Sequence, residues 1–104
     1  MEQNDAKKEN LIRAFLAPKN FNEMNCFLRD IMTAEEIGEL SRRLQAAQML
    51  SQNIPYSSIV KITGLSSTTI ARVSKWLNRG QNGYKTVINR LHHRPSFREK
   101  IGRG

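Results

Sequence analysis

Apolar residues in this chain recur every three or four positions, the period of a helix packed along one side, and no stretch shows the alternation that a strand needs. Over residues 10–17, Leu11, Ile12, Phe15 and Leu16 form one stripe that Pro18 closes, which predicts a first helix. From Phe21 onward Met24, Phe27, Leu28, Ile31 and Met32 predict a second amphipathic helix, with Asn20 or Asn22 able to cap it. Thr33 and Glu36 have the spacing of a capping box. Behind them Ile37, Leu40, Leu44, Ala47 and Leu50 keep to one face as far as about Ser51, so the third helix is expected to be the longest. Asn53, Ile54 and Pro55 break it, and the lack of a cap at Pro55 suggests that the next helix starts late or frays. After polar punctuation at Gly80, Gln81, Asn82 and Gly83, the positions Val87, Ile88 and Leu91 predict one more helix over residues 84–91. The expected class is all-α, with residues 1–93 as a single helical domain. Residues 94–104, with Pro95, Gly102 and Gly104 among basic side chains, are read as a basic flexible tail, the other reading being an arm that contacts the chain's partner.

Between Pro55 and Gly80 lies a pattern with chemical content. Two short helices with a glycine between them read as a helix-turn-helix over about residues 56–79: Ile59 and Val60 face inward, Gly64 supplies a left-handed turn, Leu65 plugs the corner, and Ile70 and Val73 pack back. The opposite positions are polar. Ser66, Ser67, Thr68, Thr69 and Arg72 stand at and after the amino end of the second helix, the end that enters a DNA groove. Their hydroxyls can meet phosphate oxygens or base edges, aided by the positive end of the helix dipole, although Ser66 and Ser67 can equally serve as caps. Arg72 can make a two-bonded fork to guanine or a phosphate contact; Lys61, Lys75 and Arg79 suit phosphates by type, with Lys61 also readable as merely solvated.

Charge supports that direction. Residues 1–55 hold seven Lys/Arg against eight Asp/Glu, a net of −1, whereas residues 56–104 hold ten against one, a net of +9. Solubility does not require such segregation, but a polyanion with one charge per ~1.7 Å of axis does attract it. The expected partner is double-stranded DNA. The charged start of the chain shows neither the apolar run of a signal peptide nor a membrane span, so the expected location is cytoplasmic.

Catalysis and metal binding find little support. Glu35, Glu36 and Glu39 sit in the first turns of the third helix, where they favour its dipole, and no acid–base pair is evident. His92 and His93 lack partners at metal spacing, and Cys26, the single cysteine, is read as small apolar packing. The chain is therefore read as a non-enzyme without a metal or other cofactor.

Taken as strings, MTAEEIGELSRRLQAAQML and YSSIVKITGLSSTTIARVSKWLNRGQNGY resemble the Trp repressor superfamily, and within it the YerC/YecD-type branch of TrpR-related proteins. The resemblance covers roughly residues 30–91. It implies an intertwined homodimer with two projecting reading heads about one DNA turn apart, and an approximately palindromic operator. In tryptophan-responsive members it further implies a corepressor site, whose positions are matched here by Thr33, Arg43 and Arg72. Val73 stands where a small residue would leave room for the indole, and Trp76 replaces a ligand-binding serine, so both tend to fill the pocket. A tryptophan corepressor is accordingly not expected, and any other small-molecule effector is open. The functional expectation is a sequence-specific transcriptional regulator, a repressor. The alternatives are a non-specific or accessory DNA-binding module, nucleoid- or replication-associated, and a protein-only adaptor with an acidic partner.

Overall fold

A computed structural model describes residues 2–93. Among them the chain is all-helical, as its period predicts: α1 (Glu2–Leu16), α2 (Phe21–Ile31), α3 (Ala34–Ser51), α4 (Tyr56–Thr63), α5 (Ser67–Arg79) and α6 (Gly83–His93). The proposed tail, residues 94–104, lies outside the described residues. The chain forms two compact units that divide between Gly38 and Glu39.

The first unit holds α1 and α2. The α1 helix begins well before the apolar stripe that predicts it, because residues 2–9 include several strong helix formers and need no buried face to stay helical. An i,i+4 pair, Arg13 Nη2 to Glu9 Oε2 at 3.2 Å, adds a small contribution on its solvated side. Pro18 prevents continuation. Asn20 then caps α2, its Oδ1 accepting from the Glu23 amide at 2.9 Å while Glu23 Oε1 accepts from the Lys19 amide at 2.8 Å. Phe15 of α1 and Phe27 of α2 meet edge to face, with ring centroids 5.4 Å apart. Yet α2 contains no buried residue, and Leu16 and Phe21 stay 77% and 88% exposed. Cys26 is exposed as well, contrary to its reading as packing. It lies off the Met24–Phe27–Leu28–Ile31 stripe, so apolar neighbours in sequence are not neighbours in space.

The capping box that starts α3 is complete. Thr33 Oγ1 accepts from the Glu36 amide at 3.1 Å, and Glu36 Oε1 accepts from the Thr33 amide at 2.8 Å. At the other end the Ile54 and Asn53 amides donate to the Met49 and Leu50 carbonyls at 3.1 and 3.0 Å. This is a Schellman closure, with Asn53 in the left-handed region at φ 61°. The turn delivers the chain directly into α4, which starts at Tyr56 and not later as the missing cap suggests. Pro55 has the φ, −62°, that precedes a helix without strain, and its carbonyl accepts from both the Ser58 and Ile59 amides at 3.1 Å.

The core of the second unit gathers one or more side chains from every helix there: Ala46, Ala47 and Met49 from α3, Ile59 from α4, Ile70, Val73 and Leu77 from α5, and Ile88 from α6, with Leu65 at the turn. Ile59, Ile70 and Val73 are wholly out of solvent, each worth roughly 1.5–3 kcal/mol of apolar burial. The two alanines are also fully buried. The α6 helix extends one residue earlier and two later than its apolar positions suggest; Asn82, at φ 65°, turns the chain into it, and its carbonyl accepts from the Thr86 amide at 3.0 Å.

Candidate nucleic-acid interface

What positions the tip of α5 is the turn before it. The α4 helix ends at Gly64, whose φ of +75° is left-handed and whose amide donates to the Val60 carbonyl at 2.9 Å. Thr63 locks the corner: its buried hydroxyl donates to the Ile59 carbonyl at 2.7 Å and accepts from the Leu65 amide at 3.2 Å. Leu65 can then point into the core. Ser66 caps α5, its Oγ accepting from the Thr69 amide at 3.1 Å and lying 3.0 Å from Thr69 Oγ1, to which it donates.

These contacts divide the predicted site residues into two groups. Ser66 and the half-buried Thr69 are engaged with each other and act as the start of the helix. Ser67, Thr68 and Arg72 are exposed, and among the described residues no hydrogen bond ties their side chains down. On the opposite side Ile70, Val73 and Leu77, spaced at three and four, are the buried anchor of the same helix. Lys75 and Arg79 are exposed further along α5, and Lys61 is exposed on α4. Residues 56–93 contain six Lys/Arg and no Asp or Glu, so the segment that carries this tip is cationic without an acidic counterweight of its own. The arrangement presents a capped, hydroxyl-bearing helix end with exposed cations beside it.

The trio matched to a corepressor site falls in both units. Thr33 belongs to the first unit and Arg43 and Arg72 to the second. Thr33 is occupied by its capping box. Arg43, half-buried, donates from Nε to Glu39 Oε2 at 3.1 Å, and the other oxygen of Glu39 takes Arg42 Nη2 at 3.3 Å. Arg72 is exposed. Val73 is fully buried in the core, whereas Trp76, read as a pocket filler, is 45% exposed in the single chain. The Glu39 bridge was missed in the sequence, although Glu and Arg four apart on a helix are its ordinary signal. Thr63 was missed too; a threonine directly before a helix-ending glycine is a weaker sign.

Comparison with known proteins follows the same outline. The family described as Trp repressor protein matches residues 6–92. The uncharacterized protein YerC of Bacillus subtilis (strain 168) is 35% identical over 83 residues, 80% of each chain. A TrpR-like protein from Eubacterium eligens superposes with a TM-score of 0.77 at 40% identity, covering 82% of this chain and 88% of that one. A candidate Trp repressor from Staphylococcus aureus gives 0.79 at 35% identity, covering 86% and 89%. The chain belongs to the Trp repressor family, a family of DNA-binding regulators rather than of enzymes, and its likeness to YerC places it with the YerC-type members. No described helix is long and apolar enough to cross a membrane.

Proposed function

We propose that this chain is a sequence-specific transcriptional repressor that binds an operator as an intertwined homodimer and does so without tryptophan. One observation carries the reading. The capped amino end of α5 holds Ser67, Thr68 and Arg72 in solvent while Ile70 and Val73 of the same helix are fully buried, so the helix that presents these groups is anchored in direction. Fixed direction is what separates base readout from simple charge attraction. Lys61, Lys75 and Arg79 flank it for phosphates, and work on chromosomal DNA puts the protein at the nucleoid. A second copy is supported by the first unit, where α2 buries nothing and apolar side chains on both helices stay open, an area that a twofold partner would cover. Independence from tryptophan is supported by the bulk of Val73 and by Glu39, which already holds Arg43.

The test is selection of bound DNA from a random library, followed by Thr68→Ala and Arg72→Ala on the selected site and on unrelated DNA. A loss of ~1–3 kcal/mol confined to the selected site supports base readout. Equal loss on both, with a steep salt slope, replaces it with the accessory, non-specific module. Light scattering at micromolar concentration should give the mass of two chains. Saturable tight binding of tryptophan in a calorimeter would reject the last clause of the proposal.

A further inference from the structure

We propose that a cleft on the flank of α5 binds a small organic anion with an apolar portion, and that its occupancy is coupled to the reading head. The cleft has a volume of about 530 Å³, within the range of about 300–1,000 Å³ common for small-molecule sites. Leu50, Ile54 and Leu77 supply an apolar part of its lining. Lys85 of α6 brings the one charge, and no acidic side chain is among those that line it. Ser74 and Asn78 stand on the α5 wall, where Asn78 Nδ2 donates to the Ser74 carbonyl at 2.9 Å and lies 3.4 Å from Ser74 Oγ, so both polar groups are held in place. An ammonium, ordered polar groups and an apolar surface together fit a carboxylate or phosphate on a short hydrocarbon body better than a neutral or cationic molecule. None of Thr33, Arg43 and Arg72 takes part, so this is a different place from the corepressor positions.

Its walls suggest what an occupant would do. They come from the end of α3, the link through Asn53 and Ile54, Tyr56 of α4, the second half of α5, and α6. A ligand that touches Lys85 and the α5 wall at once spans elements whose relative setting aims the tip at DNA. Any difference in its affinity between settings then appears as a change in DNA affinity. The coupling rests on the DNA-binding reading above; the binding site does not.

The probe is hexanoate, titrated into the ¹⁵N-labelled full chain at constant ionic strength and followed by amide chemical shifts, with hexanamide as the uncharged control and Lys85→Met as the variant. Lys85 is exposed, and an unchanged spectrum elsewhere verifies that the variant is folded. Saturable shifts centred on Asn53, Ser74, Asn78 and Lys85, weakened about tenfold or more by hexanamide and by K85M, are expected from loss of one charge-assisted contact. Absence of saturation, shifts spread over Lys61, Arg72, Lys75 and Arg79, or an unaltered K85M titration would overturn the site. In a second arm, saturating hexanoate should change affinity for the selected operator about fivefold or more in the wild type and not in K85M. Unchanged wild-type affinity overturns the coupling alone. If no DNA sequence is selected, the repressor reading fails while the shift titration still decides the cleft.

Discussion

Gly64 allows the backbone of the turn to be tested apart from its packing. At φ +75° an L side chain costs roughly 1–2 kcal/mol, through the close approach of Cβ to the following carbonyl. A Cβ built there meets nothing within 4 Å, so no collision with the rest of the protein adds to that cost. Alanine also restricts the unfolded chain, which returns about 0.4–1 kcal/mol in a relaxed site and here offsets part of the strain. The net expectation for Gly64→Ala is a loss near 1 kcal/mol, or about 4–8 °C in Tm for a domain of this size. Gly64→Asn should lose less, because asparagine tolerates the left-handed region, and D-alanine introduced by chemical ligation should raise Tm above the wild type. Thermal unfolding by circular dichroism at one fixed protein concentration reads all three, the fixed concentration being needed because association shifts Tm. Equal Tm for Gly64→Ala and the wild type, or a D-alanine protein less stable than the L-alanine one, would refute a left-handed turn at this position.

Other perturbations separate cap, core and surface. Ser66→Ala removes the acceptor for the Thr69 amide and should cost about 1 kcal/mol in chemical denaturation, with Ser66→Asp retaining most of the stability. Ile70→Ala, at a fully buried position, should cost about 2–5 kcal/mol, whereas Ile62→Ala, 59% exposed on the adjoining helix, should stay within about 0.5 kcal/mol. Glu39→Gln should leave the denaturation midpoint nearly unchanged, since partly exposed ion pairs contribute roughly 0–1 kcal/mol; a large loss would mean that the paired arginines hold more than surface charge.

Where local chemistry settles the backbone, the residues spoke plainly. Thr33 with Glu36, Gly64, and Ser66 each specify a helix end through one or two hydrogen bonds made within a few residues, and the helices end there accordingly. The inward positions Ile59, Leu65, Ile70 and Val73 follow from periodicity for the same reason. Legibility fails where the deciding interaction is not periodic. The start of α1 depends on propensity without an apolar stripe, and Cys26 shows that an apolar neighbourhood along the chain does not fix a direction in space. Pro55 misleads because a cap is sought where the ring itself prepares the helix. In the site, exposure of Ser67, Thr68 and Arg72 was foreseeable from their spacing against the core, but the engagement of Arg43 by Glu39 needed side-chain geometry.

The two asparagines at positive φ have a consequence for how such a sequence can drift. Asn53 precedes α4 and Asn82 precedes α6, so the stretch that presents α5 is bracketed by two corners which few residue types can occupy comfortably. Substitutions accepted at these points should be confined largely to glycine, asparagine and aspartate. Exposed neighbours such as Gln52 and Gln81 should be free to change chemistry altogether.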